Sequence, residues 1–104
     1  MSNYVLAYRG GRMADTDEER QAAMAAWGEW FGRLGGAVVE IGNPFAGSTS
    51  IASDGSVSDH AGSGLTGYSV LQADSLKAAS DLARGCPVLS TGGSVDVYET
   101  LSVM

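Results

Sequence analysis

One histidine occurs in this 104-residue chain, and it stands directly after an acid, as Asp59-His60, in a stretch rich in glycine and serine. An imidazole positioned near a carboxylate works as a general acid–base at neutral pH. Neighbours on an extended chain point to opposite sides, so the carboxylate that orients His60 is as readily Asp54 or Glu40. The plainer reading is a solvated loop histidine, with the Asp59 carboxylate capping a turn. Surroundings separate the two: catalysis needs convergent polar groups around the ring, and a loop residue has none.

Three further groupings carry chemistry. Arg9-Gly10-Gly11-Arg12 sets two guanidiniums around flexible glycines, which suits a bidentate grip on a carboxylate or phosphate. The alternative is an ion pair from Arg9 to Glu18 or Glu19. No G-x-G-x-x-G or Walker pattern occurs, so a nucleotide is not implied. Between Arg33 and Lys77 the chain has no cation, yet Glu40, Asp54 and Asp59 fall there. Two of them sharing a buried pocket would repel, and that repulsion would keep a proton on one. Solvated loop acids are the simpler account. Tyr8, Trp27, Trp30, Phe31 and Tyr98 supply aromatics for a core or, with tyrosine hydroxyls as polar tips, for a small-molecule pocket.

Cys86 is the single cysteine and sits at the end of an expected helix, where the dipole disfavours a thiolate, so it reads as packing. It allows no intrachain disulfide, which fits a reducing cytoplasm. Neither H-x-x-x-H nor C-x-x-C spacing occurs, so no metal site is expected. No cofactor is expected either; a haem would need His60 as axial ligand, with nothing local to support it.

Length and charge bound the function class. The chain has room for one domain, over residues 1–104. Twelve acids against six bases give a net charge of −6, which argues against nucleic acid or anionic lipid as a partner, since both rely on a basic face. The N-terminus lacks the pattern of a signal peptide, and no apolar run approaches the ~20 residues of a membrane span. A cytoplasmic location is expected.

The elements that must position these residues follow from period and punctuation. Asn3–Arg9 alternates as a strand, closed by Gly10-Gly11. Thr16-Asp17-Glu18-Glu19 is a capping box, in which Thr16 accepts from the N–H of Glu19 and Glu19 reaches back to the N–H of Thr16. Ala23, Met24, Trp27, Trp30, Phe31 and Leu34 then make one apolar stripe, and Gly35-Gly36 stops the helix. Ala37–Gly42 predicts a second strand. Ser50–Ser53 and Ser56–Ser58 flank Asp54-Gly55 as a hairpin. Gly67–Ala73 is a strand, Asp74 an N-cap, and Leu76, Ala79, Leu82 and Ala83 the apolar face of a second helix stopped by Gly85 and Pro87. Ser94–Val103 alternates as the last strand, with Val95, Val97, Leu101 and Val103 on one face.

The order β-α-β-(β)-β-α-β predicts an α+β, ferredoxin-like antiparallel sheet with two helices on one face. Two strands carry apolar groups on both sides, with Tyr4 and Leu6 against Val5 and Ala7, and Tyr68 and Val70 against Leu71 and Ala73. Helices cover only one side of such a sheet. A second copy is the simplest cover for the other, so a homodimer through the sheet face is expected.

These residues resemble the YCII-related family, whose members often carry a DGPF motif, within the dimeric α+β barrel superfamily. The likeness runs through Leu65-Thr66-Gly67-Tyr68-Ser69-Val70, Ala73-Asp74-Ser75-Leu76, Ala83-Arg84-Gly85-Cys86-Pro87 and Gly92-Gly93-Ser94-Val95-Asp96-Val97. Tyr8-Arg9-Gly10-Gly11, the Trp27/Trp30/Phe31 helix and Gly42-Asn43-Pro44-Phe45 are similar to one branch. Where relatives often read Asp-Gly-Pro-Phe or Asp-Gly-Gly, this chain reads Asp59-His60-Ala61-Gly62. The resemblance implies a ferredoxin-like dimer of a family mostly of unknown function, with catalysis suggested for some members and sigma-factor-like neighbours for others.

The leading expectation is a homodimer with a small-molecule pocket in each subunit, between the first helix and the sheet or near the dimer seam. An acid–base reaction there would use Asp59 and His60, with Tyr8, Arg9, Trp27 and Asn43 binding the substrate. The alternative is a non-catalytic module for a ligand or a regulatory partner, in which His60 stands free in solvent. An oxidoreductase relying on the substrate's own reactivity is a third class.

Overall fold

A computed structural model describes residues 2–11, 14–62 and 64–102. Among these, Ser2–Arg9 form β1, Asp17–Leu34 α1, Val38–Glu40 β2, Ser50–Ile51 β3, Val57–Ser58 β4, Leu65–Ala73 β5, Leu76–Ala83 α2 and Ser94–Glu99 β6. Four strands make one antiparallel sheet in the order β2-β5-β1-β6, and β3 pairs only with β4. This is the ferredoxin-like arrangement expected from the element order.

The expected alternation holds in the two central strands. Tyr4, Leu6 and Tyr8 of β1 and Ser69, Leu71 and Ala73 of β5 are buried beneath the helices. Val5 lies opposite Val70 and Tyr98, and Ala7 opposite Tyr68 and Asp96, all on the side that no helix covers. The edge strands follow the same rule, with Val95 and Val97 packed against the core.

Local signals set the helix starts. Thr16 caps α1 by accepting from the N–H of Glu19, and the Glu19 carboxylate accepts from the N–H of Asp15, one residue beyond the expected target. Ser75, not Asp74, caps α2, because its hydroxyl reaches the N–H of Ala78. The expected stripe along α1 is packed only in its second half. Trp30 is buried and Trp27, Phe31 and Leu34 pack beside it, but Ala23 is exposed and Met24 is 74% exposed. At ~1.5 Å per residue an 18-residue helix spans about 27 Å, and its first half overhangs the sheet.

Other boundaries also shift. β2 is shorter than Ala37–Gly42, and β6 ends at Glu99, where Thr100 caps it with two hydrogen bonds to the carbonyl of Asn3. Leu101 is exposed, so the expected alternation to Val103 stops early; Val103 itself lies outside the described residues. The molecule is flat, 44 × 41 × 19 Å, with a radius of gyration of 15.1 Å. A chain of this length packed on itself would have about 13 Å. The body has two layers, helices on one side of the sheet and none on the other.

Candidate functional site

The helix-covered side of the sheet holds a packed polar chain. The Tyr8 hydroxyl donates to Ser69 Oγ at 2.7 Å, and Ser69 Oγ donates to the carbonyl of Ile41 at 2.6 Å. Trp27 meets the Tyr8 ring edge-on at 5.1 Å, and Cys86 lies beside the same hydroxyl. Tyr8 and Trp27, expected to line a pocket between helix and sheet, therefore fill that space with each other.

Burial governs the protons here. It pushes the Cys86 thiol up from 9.0 to about 11, and it raises the Tyr8 phenol well above its ordinary 10.0 despite the hydrogen bond to Ser69. Both groups bind protons more tightly folded than unfolded, so their contributions to stability are complete below pH 9 and lost as the pH rises past it. Cys86 alone accounts for about 2–3 kcal/mol lost between pH 9 and 11, at ~1.4 kcal/mol per unit. Cys86→Ala is expected to flatten that slope by about one proton in urea melts taken from pH 8 to 11. An unchanged slope would show that the thiol does not titrate with unfolding.

The uncovered side carries a second, accessible set of polar groups. Tyr68 donates to Glu40 Oε1 at 2.7 Å, which pushes its phenol up, and the Asn43 side chain is a further partner of the same hydroxyl. Phe45 stacks on Tyr68 with ring centres 5.8 Å apart. Across the sheet, Arg9 Nε and Nη2 both reach Asp96 Oδ2 at 3.1 Å. The register puts Tyr68, Ala7 and Asp96 in one row across β5, β1 and β6, with Val70, Val5 and Tyr98 in the next. Two polar clusters thus flank a floor of small apolar side chains, and Ala7 is only 6% exposed.

Two expected binding residues, Arg9 and Asn43, fall on this face, Arg9 with its charge balanced by Asp96. Arg12 lies outside the described residues. Asp59 and His60 follow β4 in an exposed loop, and among the described residues no hydrogen bond engages their side chains. Asp54 closes its own turn by accepting from the N–H of Ser56, which lowers its carboxyl below the usual range. Glu40, Asp54 and Asp59 are all exposed and share no buried pocket. The residue that sequence reasoning passed over is Tyr68, treated there as a strand residue alone. Its alternation to the uncovered side, two positions before Val70, was the available signal. Among the described residues no cluster of His, Cys, Asp and Glu is arranged to hold a metal.

Strand order β2-β5-β1-β6 with two helices on one side defines a ferredoxin-like α+β domain. Sequence comparison gives the family directly. The chain belongs to the YCII-related domain family, whose family model matches residues 1–103. No curated protein and no solved structure gives a match. Among the described residues no helix is long and apolar enough to cross a membrane.

Proposed function

We propose that this chain is a homodimeric binding module whose uncovered sheet face holds a small polar molecule at the dimer seam. The observation that carries this reading is the face itself. Val5, Ala7, Val70 and Tyr98 form an apolar floor on a two-layer body only 19 Å thick, flanked by Tyr68 with Glu40 and Asn43 and by Arg9 with Asp96. Burying such a floor between two copies contributes roughly 25 cal/mol per Å2 of apolar surface removed from water. The flanking groups stay polar and supply the directional contacts that select a ligand. Glu40 is an acceptor, the Asn43 amide both donates and accepts, and the Tyr68 hydroxyl can swing to either role.

Binding without catalysis is favoured because His60 is exposed and, among the described residues, no hydrogen bond or ion pair engages its side chain. Acid–base chemistry through Asp59 and His60 would require a second surface to enclose them. The test is sedimentation velocity at micromolar concentration followed by amide shift mapping with a library of small polar compounds. Expected are a mass near twice that of one chain, reduced by Val70→Arg without loss of helix, and shifts confined to Tyr68, Asn43, Glu40 and Arg9. A monomeric wild type, or shifts centred on His60, would overturn the reading.

A further inference from the structure

The hairpin formed by β3 and β4 has no account within one copy. The chain is tied to β5 up to Phe45, whose N–H donates to the carbonyl of Thr66, and it rejoins β5 at Leu65. Among the described residues between these points every one is exposed except Ala61, which is half-buried. Yet the excursion is built. Ala52 donates to the carbonyl of Ser56, Gly55 to that of Ala52, and Ala61 to Ser48 Oγ. Ile51 pairs with Val57 across the two strands, so both side chains lie on one face, and they are 70% and 65% exposed. A two-stranded hairpin alone in water is marginal at best and needs an apolar surface to lean on.

That surface exists at the other edge of the sheet. A groove of about 710 Å3 runs between α2 and the edge strand β6, lined among others by Leu76, Ala83, Leu89 and Val95. Leu76 and Leu89 are each more than two-fifths exposed. Arg84 stands on its wall, approached by Asp81 at 3.8 Å, and Asp96 beside it is already paired with Arg9; the hairpin brings Asp54 and Asp59 with no Lys or Arg between residues 46 and 62. Symmetry links the two places. When two such sheets stack face to face about an axis parallel to their strands, the β2 edge of each lies against the β6 edge of the other, and both open edges are closed. The hairpin leaves the body from the β2 edge.

Area points the same way. At ~3.3 Å per residue the strands run from about 10 Å in β2 to about 30 Å in β5, and at a spacing of about 4.8 Å the four present about 400 Å2 of flat face. A stable interface takes about 800 Å2 from each partner. The face alone falls short.

Resting on the homodimer reading above, we infer that the β3–β4 hairpin is an exchanged arm, laying Ile51 and Val57 of each copy in the α2–β6 groove of the other. The experiment combines sedimentation equilibrium of the full chain with mixed cross-linking. The double variant Ile51→Asp/Val57→Asp should weaken the dimer at least tenfold while leaving the circular dichroism of the fold intact. Chains carrying Val57→Cys mixed with chains carrying Leu89→Cys should form a mixed disulfide under mild oxidation, and Val57→Cys with Met24→Cys should not; the native Cys86 is buried. A monomeric wild type would sink the dimer and the arm together. A wild-type dimer whose affinity ignores the arm variant, or that gives no Val57–Leu89 cross-link, would sink the arm and leave the sheet-face dimer standing.

Discussion

Trp30→Ala is expected to cost ~3–5 kcal/mol, the range for emptying a buried aromatic site, out of the 5–15 kcal/mol that holds an ordinary domain together. Trp30 is 2% exposed and touches Trp27 and Phe31, with ring centres 5.8 and 4.9 Å away. Its indole N–H donates to the carbonyl of Leu82 at 3.3 Å, so one side chain ties α1 to the end of α2. Gly85 leaves just the room the ring needs; a Cβ there would stand 3.1 Å from Nε1. The first half of α1 offers no second anchor, because it overhangs. Losing Trp30 therefore frees the helix as well as emptying a cavity. Thermal melts should show a drop of at least ~10 °C at 4–8 °C per kcal/mol, together with lost helical signal before the main transition. Met24→Ala, on the overhanging half, should stay within about 0.5 kcal/mol of wild type. A Trp30→Ala protein melting within 3 °C of wild type would show that α1 is held some other way.

What the sequence made legible were features whose physics is local. The capping box at Thr16 needs only four consecutive residues, and the Asp54-Gly55 turn only the two strands beside it. Two-sided strands were legible because alternation in Tyr4–Tyr8 and Tyr68–Ala73 is a property of one segment, whatever packs upon it. The overhang of α1 was not, since it depends on how far the sheet extends beneath the helix. Nor were the site's partnerships. Sequence proximity offers Arg9 the acids of the next element, but the β1–β6 register brings it Asp96, 87 residues away. Glu40 and Tyr68 meet across 28 residues through a bulged pairing of a three-residue strand. Asp59-His60 stands out by residue type alone, and residue type says nothing about enclosure. The same logic makes the hairpin informative: its turn could be read from four residues, whereas the exposure of Ile51 and Val57 is a statement about the whole body.

Gly42→Ala is expected to be the most disruptive small substitution on the candidate site. Gly42 has φ +80°, a conformation that costs an L side chain ~1–2 kcal/mol by itself. A Cβ there would also lie 1.8 Å from the Tyr68 carbonyl oxygen and 2.7 Å from its carbon, and a strand backbone cannot step aside as a flexible side chain can. The clash strikes where the chain turns from β2 to run on beside β5, held by Tyr68 N–H to the Asn43 carbonyl and by Phe45 N–H to that of Thr66. Relieving it means peeling residues 42–45 from the sheet, which removes Asn43 and Phe45 from Tyr68 and loosens the Ile41 carbonyl that Ser69 bonds. Clash and strain together should cost ~2–4 kcal/mol. Gly55→Ala isolates the conformational share, because Gly55 has φ +88° with nothing within 4 Å of its Cβ position. That variant should lose only about 1 kcal/mol. If the two variants melt together, the Tyr68 carbonyl is not where the sheet register puts it, and the cluster of Glu40, Asn43 and Tyr68 loses its support. If Gly42→Ala alone falls, the close approach of these two backbones is what fixes Asn43 and Phe45 against Tyr68, and ligand-induced shifts at that cluster should vanish in the same protein.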